Sequence, residues 1–499
     1  MKSIHILYKF IFTVTVISVI SGCRKELEYV PESYLSPEQV YADEAGSIAG
    51  ITGIYKQYQT LKKSEHSLLG NIGTDEGKTT QFVPTWGGYW LQLSALSSYD
   101  KTQLSPQNDV IYYYWQRLYQ AIGNANIAIR YISAGSVAEP AKSQLLGEAR
   151  FLRAMGYFYL VQYFGDLPMP TDVVDTDKEE NGYPRTPAAD VYQLITSDLQ
   201  YASENLPDKS KMQKGRTNKQ AAQALLGKVY LTIKDYTKAK AALDPLLNTS
   251  ETRLMDNFAD LFKEENENNI ESLFEFQYTT ESGHTQNATE ILGSWNMGSN
   301  QPGGGGHVAL PTAYAANIYP LQDAERKNAT LRSVYYDGNG NPGLNDWWGD
   351  VGKPHIKKYE QIANQPSNTS SRNIYYLRYA DVLLMYTEVL NEMGQTTQAL
   401  PYINQVRRRA KVDDLETVIG GIPTQQQLRD SLVTERMKEL MFEGWRWFDL
   451  KRWGLLIQRT KMYNTDAASN MEEPKHLLYP IPYTELIGNK RITNQNSGY

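Results

Sequence analysis

The chain has 499 residues, with 50 Lys and Arg against 56 Asp and Glu, a formal charge of −6, 41% hydrophobic residues and 21% charged residues. That mix suits a folded globular protein, and the lack of a basic excess argues against nucleic acid as a partner. The length exceeds one small core and implies one large domain or two to three ordinary ones. Tyrosine is the outlier, with 36 Tyr beside 12 Phe and 9 Trp. Rings with a polar edge suit half-wet surfaces and ligand clefts, but most of these tyrosines are expected to pack helices together.

At the amino end Lys2 and Lys9 flank the start of an apolar run, Phe10 to Ile20, followed by Ser21-Gly22-Cys23. A charged start, a short apolar stretch and small residues make an export signal. The run is shorter than the roughly 20 residues a bilayer-spanning helix needs. Cys23 is the only cysteine, so no intrachain disulfide supports the fold. Ile20-Ser21-Gly22-Cys23 resembles the lipobox of bacterial lipoproteins. That resemblance implies lipidation of the Cys23 thiol, cleavage before it and acylation of the new amine. A thiol is a good soft nucleophile for this alkylation, and several acyl chains meet the requirement for stable anchoring. Residues 1–22 are thus expected to be the signal peptide and 23–35 a lipidated polar tether.

Ser36-Pro37-Glu38-Gln39 carries the cap, first-turn proline and third-position Gln of a helix start. Amphipathic spacing continues over about 45–61. Residues 71–109 show no sustained period and are expected to be irregular, a feature often tied to function. Helical spacing returns over 110–132 and is strong over 144–164, where Gly165 and Pro168 end it. Thr186-Pro187 opens a further helix, to about Leu206. Leu226-Gly227-Lys228-Val229-Tyr230, with Tyr236, Ala239 and Leu243 behind it, matches the tetratricopeptide pattern. Small residues at 227 and 239 allow two antiparallel helices to approach. A second copy places Leu383, Tyr386, Leu390, Gly394, Ala399, Ile403 and Val406 equivalently. The spacing between Ala239 and Ala399 is not a whole number of roughly 34-residue repeats, so an insertion, 250–375, interrupts the array. It is rich in Gly, Asn, Pro and aromatics, with strand-like pieces such as 272–277. Residues 424–453 read as helix again, and Pro480 and Pro482 keep the tail out of one.

Several blocks taken in order resemble the SusD/RagB family of outer-membrane nutrient-binding lipoproteins. They are Glu148-Ala149-Arg150-Phe151-Leu152-Arg153-Ala154 through Phe164-Gly165; Tyr376-Leu377-Arg378-Tyr379-Ala380-Asp381; and Glu435-Arg436-Met437-Lys438-Glu439-Leu440 leading to Glu443-Gly444-Trp445-Arg446-Trp447-Phe448-Asp449. Tyr479-Pro480-Ile481-Pro482 and Asn494-Gln495-Asn496-Ser497-Gly498-Tyr499 look like that family's ending. The resemblance implies a mainly α fold: a scaffold of tetratricopeptide-like helix pairs with an irregular, loop-rich ligand-binding region inserted. One unit would occupy 36–499, with helical scaffold over about 36–70, 110–248 and 376–460 and ligand-side segments over about 71–109 and 250–375. It also implies a surface-exposed lipoprotein of the outer membrane, not an enzyme. Such a protein captures an oligo- or polysaccharide and passes it to a TonB-dependent transporter of the SusC type. A peptide ligand in the same kind of uptake system, or a tetratricopeptide adaptor for protein partners, are the alternatives.

Glu439 and Glu443 stand four apart, a spacing a glycosidase advocate would notice. Arg436 and Arg446 flank them at three residues and are expected to pair with them instead. Arg150, Arg153 and Arg378 read as partly buried helix-pairing residues. The four-glycine run 303–306 lacks the Lys-Ser/Thr of a phosphate loop. The six His are scattered without ligand spacing, and no G-x-S-x-G occurs, so neither a metal, a cofactor nor an esterase elbow is expected. The ligand candidates are Trp86, Tyr89 and Trp90 around Gly87-Gly88, together with Trp295, Trp347 and Trp348 in the insertion. Sugar rings stack their C–H faces on such aromatics while polar side chains take the hydroxyls. The competing reading is that these rings plug the joint between insertion and scaffold.

Overall fold

The computed structural model describes residues 35–62, 65–173, 182–279, 308–332, 335–336, 342–343, 353–359 and 370–499. Cys23, Trp295, Trp347 and Trp348 lie outside them. The fold is mainly α-helical, with short two-stranded pairings between helices.

The first helical turn, Pro37–Val40, starts on the expected box: Ser36 accepts from the Gln39 N–H and the Gln39 side chain accepts from the Ser36 N–H. The helix Glu44–Lys62 follows. The helix Ala141–Phe164 is the axis of the core, buried from Leu145 to Phe164 except at Arg150. A helix apolar all round must be enclosed, and here Glu44–Lys62, Asp109–Ala134 and Ala188–Asn205 enclose it. Arg153 on its flank donates to Asp198 at 2.8 Å and to the Asn126 side chain at 2.9 Å, tying three helices through one buried guanidinium.

Both tetratricopeptide copies are helix hairpins, Lys219–Thr232 with Tyr236–Leu247 and Tyr379–Glu392 with Thr396–Arg409. At the first seam a Cβ on Gly227 would stand 2.4 Å from Leu243 Cδ2, so any larger residue there would force Leu243 to shift. The two hairpins pack side by side despite their separation in sequence. Tyr386 donates to Asp244 at 2.5 Å, and Lys228 pairs with Asp381 at 2.7 Å. The chain leaves and re-enters this pair through an antiparallel ribbon, Ser272–Phe276 against Ile374–Arg378, every residue of it buried. That ribbon closes the base of the insertion.

Three expectations are corrected. The 71–109 stretch is not irregular throughout: it holds the strand Gly77–Thr79, a turn at Val83–Trp86 and the helix Gly88–Ser98. Residues 93–97 of that helix are buried consecutively, so no polar stripe marks its period in the sequence. The scaffold expected from 376 begins as strand, since Ile374–Arg378 completes the ribbon before the helix starts at Tyr379. The 424–453 helix breaks after Leu440 and resumes at Arg446, because Phe442 and Gly444 take left-handed backbone at φ 60 and 87. One hydrophobic cluster joins these parts from Tyr41 to Ile481. Tyr58, Tyr114, Tyr157, Tyr163 and Tyr479 are among its largest buried side chains, the packing role expected for most tyrosines.

Candidate functional site

The acidic pair belongs to the scaffold, through partners that the sequence did not suggest. Arg378 donates to Glu443 at 2.8 Å, to Glu271 at 2.9 Å and to Glu439 at 2.5 Å. Arg409 also holds Glu439 and Glu271, Arg326 bridges Glu435 and Glu439, and Lys358 takes the other side of Glu443 at 2.8 Å. Arg436 instead pairs with Asp381 and Asp449, and Arg446 with Asp75. Burial by itself would raise the Glu439 carboxyl. Arg409, Arg378 and Arg326 more than offset it and hold the group well below the usual range. A carboxylate saturated by guanidinium groups has neither the raised pKa of a general acid nor room for a water.

Glu76 is the contrasting acid. It is 1% exposed and accepts from the Phe442 N–H at 3.0 Å. Burial pushes its carboxyl up to about 8 despite the nearby Arg446, so the folded protein holds this proton at neutral pH. A folded pKa above the unfolded 4.5 means stability present below 4.5 and lost as pH rises through about 8. Glu76→Gln keeps the carbonyl acceptor and removes the titration. Urea unfolding at about pH 5 and about pH 8 is expected to show wild type losing on the order of 3 kcal/mol relative to the variant. Parallel curves for the two proteins would contradict the assignment.

The structure brings Trp86, Tyr89 and Trp90 together. Val83, fully buried, roots the preceding turn, and the Thr85 hydroxyl donates to the Phe82 carbonyl. Gly87 and Gly88 follow at φ 69 and 49, a left-handed pair that glycine adopts readily. This reversal starts the helix Gly88–Ser98 and folds Trp90 back toward Trp86. Their rings meet edge to face, centroids 5.3 Å apart at 88°, and Tyr89 meets Trp90 at 5.9 Å and 86°. Tyr89 and Trp90 are half-buried against the core, while Trp86 is 39% exposed. Trp115, Trp445 and Trp447, by contrast, are core residues. Gly77–Thr79 pairs with Ala309–Pro311, and the Thr80 N–H donates to the Val308 carbonyl at 3.0 Å.

The corner combines a partly exposed Trp86 with Trp90, which meets it edge to face and is itself met by Tyr89. Fixed aromatic surface of this kind costs little ordering on binding. Gln81 and Thr85 are exposed beside it, polar side chains within the same turn. Sequence reading located the three aromatics by their glycine neighbours. It expected all three in an irregular loop, whereas Tyr89 and Trp90 open the helix Gly88–Ser98 and Trp86 ends the turn before it.

The comparisons with known proteins converge. Residues 208–499 match the SusD family, and 51–231 match a family described as starch-binding and associating with the outer membrane. The chain is 28% identical to SusD-like protein P2 of Formosa agariphila, over 99% of both chains. Its fold superposes on a SusD homolog from Bacteroides thetaiotaomicron with a TM-score of 0.80 at 23% identity, covering 93% of this chain and 98% of that one. A laminarin-binding SusD-like protein gives a TM-score of 0.76 at 24% identity, covering 92% and 100%. With over half its length matched to the family and its helical scaffold shared with these structures, this chain belongs to the SusD family.

Proposed function

We propose that this protein captures a glycan at the outer membrane and passes it, unbroken, to a TonB-dependent transporter of the SusC type. The carrying observation is Trp86, 39% exposed and set edge to face against Trp90 near the strand pairing of Gly77–Thr79 with Ala309–Pro311. Family membership and the laminarin-binding relative support a carbohydrate as the ligand. A non-catalytic role is supported by the commitment of Glu439 and Glu443 to buried ion pairs. Lipid on Cys23 would tether the scaffold to the membrane, and Trp295, Trp347 and Trp348 would extend the aromatic surface from the insertion.

Laminarin and starch cast into native gels test the reading. Wild type is expected to be retarded, and the Trp86→Ala, Trp90→Ala double variant to lose about tenfold in affinity per ring, for stacking of about 1–1.5 kcal/mol each. Near-UV circular dichroism shows whether the variant keeps its packing. A folded double variant with undiminished retention would reject the corner as the site. Wild type that ignores a broad panel of polysaccharides would reject the glycan.

A further inference from the structure

Lys209, Lys211, Lys214, Arg216 and Lys219 crowd into one short stretch of a chain whose net charge is −6. The stretch links the helices Ala188–Asn205 and Lys219–Thr232 and forms one wall of a cavity of about 570 Å³. The facing wall is Asn268, Asn269 and the ribbon strand Ser272–Phe276, with Phe274 as apolar surface. The volume falls within the roughly 300–1,000 Å³ of small-molecule sites and fits one or two sugar rings.

What decides the ligand is which polar groups remain uncommitted. Arg216 is spent on Glu148 at 2.8 Å, and Lys219 stands 4.0 Å from Asp208. Lys209 Nζ donates to the Asn269 carbonyl at 2.6 Å, and Glu275, Glu251 and Glu271 act on its ammonium through space without an ion pair. Lys214 is exposed and makes no hydrogen bond or ion pair among the described residues. The wall's acids are already satisfied. Glu251 accepts from the Ser210 N–H and hydroxyl at 2.8 and 2.7 Å. Glu275 accepts from the Asn268 N–H and the Asn373 amide, and burial raises its carboxyl. Asn268 spends its side chain on a reciprocal amide pair with Gln277. The spare capacity is therefore biased to cationic donors, which a carboxylate or sulfate ester matches and a plain hydroxyl meets only in part.

We infer that this cavity is a second saccharide subsite, for a sugar unit carrying a carboxylate or sulfate, with Lys209 and Lys214 as its anion-contacting groups. The inference rests on the glycan-capture reading and adds a charge preference to it, at a place separate from the Trp86–Trp90 corner. Burial lowers the Lys209 ammonium to about 8, so it is mostly charged at neutral pH and an anion at its side would raise it again.

Isothermal titration of the full folded chain separates the outcomes. The probes are a galacturonate trisaccharide, a sulfated carrageenan oligosaccharide and maltotriose. At least one acidic probe is expected to bind about tenfold tighter than maltotriose, and to weaken as NaCl rises from about 50 to about 300 mM. Lys214→Glu is expected to cost that probe about tenfold and to leave laminarin retention in gels intact. Which acidic probe binds distinguishes carboxylate from sulfate. The subsite is overturned if Lys214→Glu binds the acidic probe as wild type does, if maltotriose binds equally well, or if neither acidic probe binds. Should laminarin, starch and all three probes fail together, the glycan reading falls instead.

Discussion

Arg378→Met is expected to remove about 3–5 kcal/mol of stability, enough to leave much of the protein insoluble on expression. Arg378 is 1% exposed and sits where the ribbon strand ends and the second hairpin begins. Its guanidinium meets the carboxylates of Glu271, Glu439 and Glu443, and also donates to the Glu439 carbonyl at 2.6 Å. These acids come from the insertion base and from the helix Gln425–Leu440 with the bend after it, so one side chain joins three distant parts of the chain. Methionine fills similar volume but leaves buried negative charge in excess of the remaining Arg409, Arg326 and Lys358. Urea unfolding at neutral pH reads the loss. Arg378→Lys restores the charge as a point rather than a fork, and is expected to recover only part of it. A methionine variant within about 1 kcal/mol of wild type would show the network to be dispensable.

Gly70→Ala is the second large effect. A Cβ at 70 would lie 2.0 Å from the Gly444 carbonyl oxygen and 2.5 Å from its carbon. Neither atom is a flexible side-chain end, so a rotamer change gives no relief. The Gly444 segment is itself pinned, since its N–H donates to Asn71 at 2.8 Å and the Phe442 N–H donates to Glu76. The backbone of one segment has to move, and a cost of about 3 kcal/mol follows, the upper range for overpacking. Differential unfolding of Gly70→Ala against wild type checks it. As a control, Gly394→Ala meets nothing within 4 Å, and its cost is limited to the strain of φ 76. Equal stability of Gly70→Ala and wild type would mean that the two segments do not touch as described.

The two acids at 439 and 443 show where sequence reading stopped. Their structural role was legible from the bracketing arginines, but the pairing was not. Arg436 and Arg446 point to Asp381, Asp449 and Asp75, while the acids find Arg378, Arg409, Arg326 and Lys358. Local spacing gives the neighbours along one helix, and a buried charge takes whichever partner the packing of other elements delivers. The helix Gly88–Ser98 was missed for a related reason, because enclosure on all sides erases the polar stripe that marks a helix. The basic stretch at 209–219 was present in the letters all along. Its facing wall belongs to the insertion base, and no one-dimensional pattern brings those residues together.

The chain by itself determined its capping box at Ser36, its strong helix over 144–164, its two hairpins and the small residue at 227 that lets the first of them approach. Each follows from contacts within a few residues or from a period along one element. Only the tertiary structure decided the ribbon that returns the insertion, the partners of Glu439 and Glu443, and the edge-to-face set of Trp86 on Trp90. Those depend on surfaces far apart in sequence, whose meeting is selected by the packing of the whole core rather than by any local preference.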